Sequence, residues 1–134
     1  MKTPYSIRDI MAKKLITFTP ETNALAAIQT LLKNKISGAP VVDAEGTLIG
    51  ILSEKDCMRT IMESSYHDEM GALVSELMSP DVETVNEEAS IFDVAGKFLN
   101  SRFRRFPVIN SDDQLVGQIS RRDILRAINK LRGG

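Results

Sequence analysis

The sequence contains one unit twice. Residues 7–61 and 74–128 align at a constant offset of 67 positions without a gap, and 12 of the 55 aligned pairs are identical. A long period with only two copies favours two similar units related by a pseudo-twofold axis over an extended solenoid. Such symmetry predicts two related sites for anything bound between the units. The identical pairs are Met11/Met78, Thr17/Thr84, Glu21/Glu88, Leu32/Leu99, Pro40/Pro107, Val41/Val108, Leu48/Leu115, Gly50/Gly117, Ser53/Ser120, Asp56/Asp123, Arg59/Arg126 and Ile61/Ile128.

Each copy predicts the element order strand, helix, strand, strand, helix. Strands this short do not form stable sheets alone, so we expect an α+β (mixed α/β) fold in which the two copies stack face to face. In the first copy we expect a strand at 15–18, a helix with Leu25, Ile28, Leu31 and Leu32 on one face, a strand from Pro40, a strand at 48–52 and a helix from Ser53 carrying Cys57, Met58, Ile61 and Met62. The second copy predicts strands at 82–85, 106–109 and 115–119 and helices carrying Val94, Ala95, Phe98 and Leu99, then Ile124, Leu125, Ile128 and Leu131.

Composition narrows the class of protein. A chain of 134 residues suits one compact domain, and the absence of Trp with 5% aromatic residues disfavours an extended stacking platform for single-stranded nucleic acid. Cys57 is the only cysteine, which excludes an intrachain disulfide, and we expect it to be a buried packing residue. No apolar run has the length of a signal-peptide core or a membrane span. We therefore expect a cytoplasmic protein without a membrane partner.

Charge is segregated along the chain, although the net charge is −1. Residues 63–93 carry nine acidic residues and no Lys or Arg, whereas residues 100–134 carry eight basic and three acidic residues. The basic region leaves nucleic-acid binding open as an alternative function, but no reading-helix motif accompanies it.

The motif Ser-x-x-Asp ends each repeat, as Ser53 to Asp56 and Ser120 to Asp123. A serine before a helix with an acid three residues later is a variant capping box, which satisfies free backbone N–H groups. The same geometry also suits a nucleotide, because a helix N-terminus attracts phosphate and an ionised Asp accepts both hydroxyls of a ribose. The two interpretations are compatible.

With these residues, the chain from Ile7 to Ile128 resembles a tandem pair of CBS motifs, also called a Bateman module. The first copy carries the sequence Ser37-Gly38-Ala39-Pro40-Val41-Val42-Asp43 and then Gly50 to Asp56; the second carries Arg104 to Ile109 and then Gly117 to Asp123. The resemblance implies βαββα units paired through their small sheets, with motifs at 7–63 and 74–131 joined by a connection at 64–73. It also implies adenine nucleotides in the cleft between the motifs, and a homodimer of pairs in contact through exposed apolar stretches of the helices.

Carried onto this chain, the resemblance implies two pseudo-symmetric ligand sites. One joins Ser120, Arg122 and Asp123 to Ile16, Ile36 and Ser37, with Arg104 and Arg105 nearby. The other joins Ser53, Lys55 and Asp56 to Glu83, Phe103 and Arg104.

The two sites are not equivalent in charge. Arg104, Arg105 and Arg122 could surround a phosphate at Asp123, where bidentate guanidinium contacts are strong. The Asp56 site has Glu54 and Lys55 in the corresponding positions. We therefore expect tighter binding at Asp123 and weaker or no binding at Asp56.

The favoured function is a non-catalytic regulatory module that senses AMP, ADP or ATP and signals to a partner protein in trans. S-adenosylmethionine and dinucleotides also remain open as ligands. The sequence contains no nucleophile–base pair, metal cluster or Gly-rich phosphate loop, so we expect no catalysis, metal or cofactor besides the nucleotide ligand. A ligand-free dimerisation module is the main alternative, since Ser-x-x-Asp would then serve only as a cap.

Overall fold

The computed structural model describes residues 6–63 and 71–133 of the chain, apart from the side chain of Glu63. Most of the predicted connection at 64–73 lies outside these residues. In the described part, the elements in chain order are α1 (Ile7–Ile10), α2 (Ala24–Asn34), β1 (Gly38–Val42), β2 (Leu48–Ser53), α3 (Glu54–Glu63), α4 (Val74–Leu77), β3 (Val85–Asn86), α5 (Ile91–Leu99), β4 (Arg105–Ile109), β5 (Leu115–Ser120) and α6 (Arg121–Leu131). This is the mixed α/β class that the sequence predicts. No helix in the described ranges has both the length and the apolar character needed to cross a bilayer.

The chain forms two compact units whose limits differ from those of the sequence repeats. We call them the Asp56 unit, residues 16–63 with 71–82, and the Asp123 unit, residues 6–15 with 83–133. Each unit therefore takes its leading segment from the other repeat. Helix α1 of the first repeat belongs to the Asp123 unit, and α4 of the second repeat belongs to the Asp56 unit.

The Asp56 unit contains the antiparallel pair β1–β2, in which Gly38 lies opposite Ser53 and a register shift falls between Val41 and Val42. The predicted strand at 15–18 is wrong as a continuous strand. Only Phe18 forms an isolated parallel bridge, to Val41. Phe18 N donates to the Pro40 carbonyl oxygen and the Phe18 carbonyl oxygen accepts from Val42 N, both at 2.9 Å, whereas residues 15–17 form no ladder in the described part of the chain.

The Asp123 unit contains the three-stranded sheet β3-β4-β5. Strand β3 is parallel to β4, and β4 pairs with β5 in antiparallel register, with Arg105 opposite Ser120. The observed strand β3, Val85–Asn86, begins three residues after the start of the strand predicted at 82–85 and ends one residue after its end. Prediction from alternation alone cannot place the end of so short a run.

Each unit has its own hydrophobic core, built at equivalent repeat positions. The helices contribute a narrower buried stripe than the apolar pattern predicts: Leu31 and Phe98 are buried, whereas Leu32 and Leu99 are 65% and 88% exposed. Cys57 is buried, as expected. The core of the Asp123 unit consists of Ile7, Val85, Ile91, Val94, Phe98, Phe106, Val108, Ile119, Ile124 and Ala127; that of the Asp56 unit consists of Phe18, Ala24, Ala27, Leu31, Ala39, Val41, Leu52, Cys57, Val74 and Leu77.

The short helices α1 and α4 are absent from the sequence prediction, because four residues are too few for a periodic pattern. Ile7 and Val74 are fully buried, each in the core of the unit that its helix joins. A carboxylate stabilises each helix start: Asp9 Oδ2 accepts from Ser6 N at 3.0 Å, and Glu76 Oε1 accepts from Leu73 N at 3.1 Å.

The methionine that follows each short helix, Met11 or Met78, lies against a glycine, Gly117 or Gly50. This contact explains why both the methionine and the glycine are identical in the two repeats. A Cβ atom on Gly117 would lie 2.5 Å from Met11 Sδ and 2.9 Å from the Ala12 carbonyl oxygen. A Cβ on Gly50 would lie 2.7 Å from Met78 Sδ. Glycine is required at both positions because the leading segment crosses the strand too closely for a side chain.

Candidate functional site

The two Ser-x-x-Asp motifs lie at the N-termini of the last helix of each repeat. Ser120 is the N-cap of α6, and its Oγ accepts from Asp123 N at 3.1 Å. Ser53 Oγ likewise accepts from Asp56 N at 3.1 Å at the start of α3. Each Asp in turn accepts from its serine N–H, at 2.9 Å for Asp123 and 3.0 Å for Asp56. The capping interpretation is therefore confirmed in both repeats.

The Asp56 carboxylate is enclosed. Its Oδ2 accepts from both the N–H and the hydroxyl of Ser53, at 3.0 and 2.9 Å. Its Oδ1 accepts from Arg59 Nη1 at 2.9 Å and from Ser79 Oγ at 3.0 Å. Four donors match the acceptor capacity of a carboxylate, and the side chain is only 4% exposed. The Asp56 carboxylate therefore already accepts as many hydrogen bonds as its two oxygens allow.

The Asp123 carboxylate is more open. Its Oδ2 accepts from Ser120 N at 2.9 Å, and its Oδ1 accepts from Arg126 Nη1 at 2.9 Å. These are its two hydrogen bonds within the part of the chain that the structure describes, and its side chain is 20% exposed. Asp123 therefore keeps acceptor positions that an incoming hydroxyl can use.

Four basic residues lie in or beside the first turn of α6. Arg105 lies opposite Ser120 in the sheet, and Arg121 N donates to the Arg104 carbonyl oxygen at 3.1 Å. Arg104, Arg105, Arg121 and Arg122 are exposed. Two cations in the first helical turn oppose the helix dipole, so they do not stabilise α6 through it. They add positive charge at the end of the helix whose free N–H groups also attract an anion.

The matching position in the Asp56 unit has a different charge. Glu54 and Lys55 begin α3, and Glu54 N donates to the Ser37 carbonyl oxygen at 2.8 Å. Gly38 lies opposite Ser53, where the other unit has Arg105. The charge difference predicted from the sequence is thus located at two equivalent helix starts.

The predicted site residues divide between the units. The Asp123 unit holds Phe103, Arg104, Arg105, Ser120, Arg122 and Asp123; the Asp56 unit holds Ile16, Ile36, Ser37, Ser53, Lys55 and Asp56. Their pairing across the units remains a prediction. Phe103 is 40% exposed, with its ring edge-on to Phe106 and 5.2 Å from the guanidinium carbon of Arg102.

Sequence reasoning missed three residues that shape the two carboxylates. Arg59 and Arg126 pair with the Asp three positions earlier, and their identity in both repeats at this helical spacing was an available signal. Ser79 lies 23 residues from Asp56, and no local spacing indicates that contact.

The comparison with protein families decides the class of this chain. The model of the CBS domain matches residues 7–63 and again residues 74–130. The chain belongs to the CBS domain family. It is a CBS pair, as the resemblance predicted.

The relatives of this CBS pair include proteins whose structures contain a bound nucleotide. It is 31% identical to the chloroplastic CBS domain-containing protein CBSX1 of Arabidopsis thaliana over 96% of its own length and 66% of that protein, so it spans slightly less than two thirds of this relative. It is similar in structure to Arabidopsis CBSX2 in complex with AMP, with a TM-score of 0.79, 29% identity, and coverage of 96% of this chain and 98% of that one. It is also similar to CbpB in complex with c-di-AMP, with a TM-score of 0.81, 28% identity, and coverage of 92% and 83%. Homologous CBS pairs thus bind adenine-containing nucleotides.

Proposed function

We propose that this CBS pair is a non-catalytic regulatory module that binds an adenine nucleotide such as AMP, ADP or ATP. The observation that carries the proposal is the Asp123 carboxylate, which is held by a cap at the start of α6 yet is still open to solvent. In the proposed complex the carboxylate accepts the ribose hydroxyls. The AMP and c-di-AMP complexes of similar CBS-pair proteins support this class of ligand.

The phosphate of the nucleotide interacts with the basic side chains at the same helix start. Exposed Arg104, Arg105 and Arg122 offer charge-assisted, bidentate hydrogen bonds, and the free N–H groups of α6 add to the attraction. The family resemblance also implies ligand contacts from Ile16, Ile36 and Ser37, and these stay predictions.

Thermal unfolding with and without nucleotides tests the proposal. A ligand at about 100 times its Kd adds roughly 2.7 kcal/mol to the free energy of unfolding, which raises the Tm by several degrees. We expect that shift with AMP, ADP or ATP, a much smaller one with GTP, and none of it in Asp123→Ala. Asp93→Ala, which removes an exposed acid in the first turn of α5, is the matched control and should retain the shift. The absence of a shift with every adenine nucleotide would favour the ligand-free dimerisation module instead.

The proposal includes a homodimer that acts on a separate effector protein. Helices α3 and α6 present large apolar side chains to solvent: Met58, Ile61 and Met62 on α3 are 60%, 54% and 83% exposed, and Leu125 on α6 is 65% exposed. Apolar side chains grouped on helices in this way are typical of protein contacts. Sedimentation velocity should give the mass of a dimer, and a monomer at tens of micromolar protein would contradict this part of the proposal. A regulatory effect requires that the nucleotide bind two states of the protein with unequal affinity.

A further inference from the structure

The same backbone bridge occurs in both units, and it carries a different side chain in each. Ser79 pairs with Ile51 through two backbone hydrogen bonds of 2.9 Å, and its hydroxyl reaches Asp56 Oδ1. At the equivalent position of the other unit, Ala12 pairs with Gln118 through two bonds of the same length. The backbone frame is thus repeated, but only one copy carries a hydroxyl.

This difference contributes to the number of acceptor positions that each carboxylate has left. A carboxylate accepts about four hydrogen bonds. Asp56 has four donors, including Ser79, whereas Asp123 has two in the described residues. A ribose with two neighbouring hydroxyls needs two acceptor positions. At Asp56 it would have to displace two donors. The Ser53 hydroxyl can rotate away, but the Ser79 hydroxyl is held in place by the paired bridge.

We propose that the residue at this bridge position selects which of the two carboxylates is available to a ribose. Ser79 closes Asp56, which becomes a structural tether between α3 and the segment after α4. Ala12 leaves Asp123 open. The inference rests on the proposed nucleotide binding and adds a specificity-determining position that lies outside both Ser-x-x-Asp motifs.

Exchanging the two side chains tests the inference. The variants are Ala12→Ser and Ser79→Ala, and the probes are AMP and 2′-deoxy-AMP, measured by isothermal titration calorimetry. The chain offers a matched control pair, Ala44→Ser and Ser111→Ala, which makes the same chemical changes at equivalent exposed positions in the two strand-connecting turns.

We expect the wild-type chain to bind one AMP and to bind 2′-deoxy-AMP at least about tenfold more weakly. Ala12→Ser should weaken AMP binding about tenfold and remove most of the preference for AMP over its deoxy analogue, because the new hydroxyl occupies Asp123. Ser79→Ala should leave the first Kd within twofold and add a second, weaker binding event. Both control variants should match the wild type.

Three results would overturn the inference: two equal sites in the wild type, Ala12→Ser binding within twofold of the wild type, or a stoichiometry of one in Ser79→Ala. If the wild type binds AMP and Ala12→Ser binds it with the same affinity, the inference is refuted but the proposed function is not. If the wild type binds no adenine nucleotide, the proposed function is refuted. Melting temperatures separate binding from folding. Ser79→Ala should lower Tm by roughly 3–6 °C through the lost bond to a buried charge, and Ala12→Ser should not lower it.

Discussion

Position 106 of the Asp123 unit holds a fully buried phenylalanine, and the equivalent position 39 of the Asp56 unit holds an alanine. The Phe106 ring stacks on Phe98 with 4.4 Å between centroids, whereas the Asp56 unit places Leu31 at the position of Phe98 and its own aromatic residue at Phe18. The same backbone frame is therefore filled with different side chains in its two copies.

The Asp56 and Asp123 carboxylates also differ between the units, in how enclosed each one is. The unit with the aromatic stack has the open Asp123, and the unit with the small core residue has the enclosed, fully bonded Asp56. The comparison teaches that a duplicated frame allows a division of labour. One motif can hold its helix through a buried polar network, while the other relies on apolar packing and leaves its carboxylate accessible to a ligand.

The largest expected effect comes from truncating the aromatic stack. Phe106→Ala should lower the free energy of unfolding by about 3–5 kcal/mol, since it removes a buried ring and leaves a cavity between Phe98 and β4. Urea denaturation measures the loss. Val108→Ala and Val41→Ala truncate an identical, fully buried residue in each unit and serve as the matched pair. A loss in Phe106→Ala no greater than in Val108→Ala would show that the stack does not distinguish the units.

The next effect concerns the carboxylates themselves. Asp56→Ala should cost about 2–4 kcal/mol, because it removes a cap and leaves the Ser53, Ser79 and Arg59 donors without their shared acceptor. Asp123→Ala should cost only about 1 kcal/mol, the value of a partly exposed cap. Urea denaturation of the two variants beside Asp93→Ala provides the test, and equal losses at Asp56 and Asp123 would contradict the division of labour.

The smallest effect is the titration of Cys57, which occupies the position of Ile124 in the other unit. Burial raises the pKa of the Cys57 thiol, and the Asp56 and Glu54 carboxylates raise it further. The neutral thiol is thus favoured in the folded state. Its contribution to stability is fully present below the pKa of an unfolded thiol, about 8.5, and is lost as the pH rises through the higher folded value.

Denaturation curves between pH 7 and 10 check the sign of this effect. Wild-type stability should decline more steeply with pH than that of Cys57→Val, which has no thiol to titrate. Parallel pH profiles would mean that the thiol environment is the same in the folded and unfolded states.

The sequence predicted most of the secondary structure and the capping geometry, because both depend on local patterns. The repeat register located β1, β2, β4 and β5, and the Ser-x-x-Asp spacing located the starts of α3 and α6. The first strand of the first repeat was wrong, since Phe18 pairs only through one isolated bridge. A short run at a sheet edge depends on its neighbours for its conformation.

The features that the sequence did not predict depend on contacts between distant segments. The Ser79 tether to Asp56 is one, and the placement of α1 against the core around Phe106 and Ile119 is another. Residue identity indicates that Ser79 can donate a hydrogen bond. It does not indicate that the segment after α4 crosses β2, which is what brings the hydroxyl to the carboxylate.

The exchange of leading segments has a consequence for the origin of this chain. Ile7 belongs to the first repeat but is buried in the Asp123 unit, and Val74 belongs to the second repeat but is buried in the Asp56 unit. Each repeat on its own would therefore lack one core residue that the other repeat supplies. Two separate copies could complete each other only by trading these segments, as in a domain-swapped pair. Joining the copies in one chain makes that trade intramolecular and raises the effective concentration of each segment. Cutting the gene between its repeats would therefore yield two fragments that fold when mixed and that remain incomplete apart.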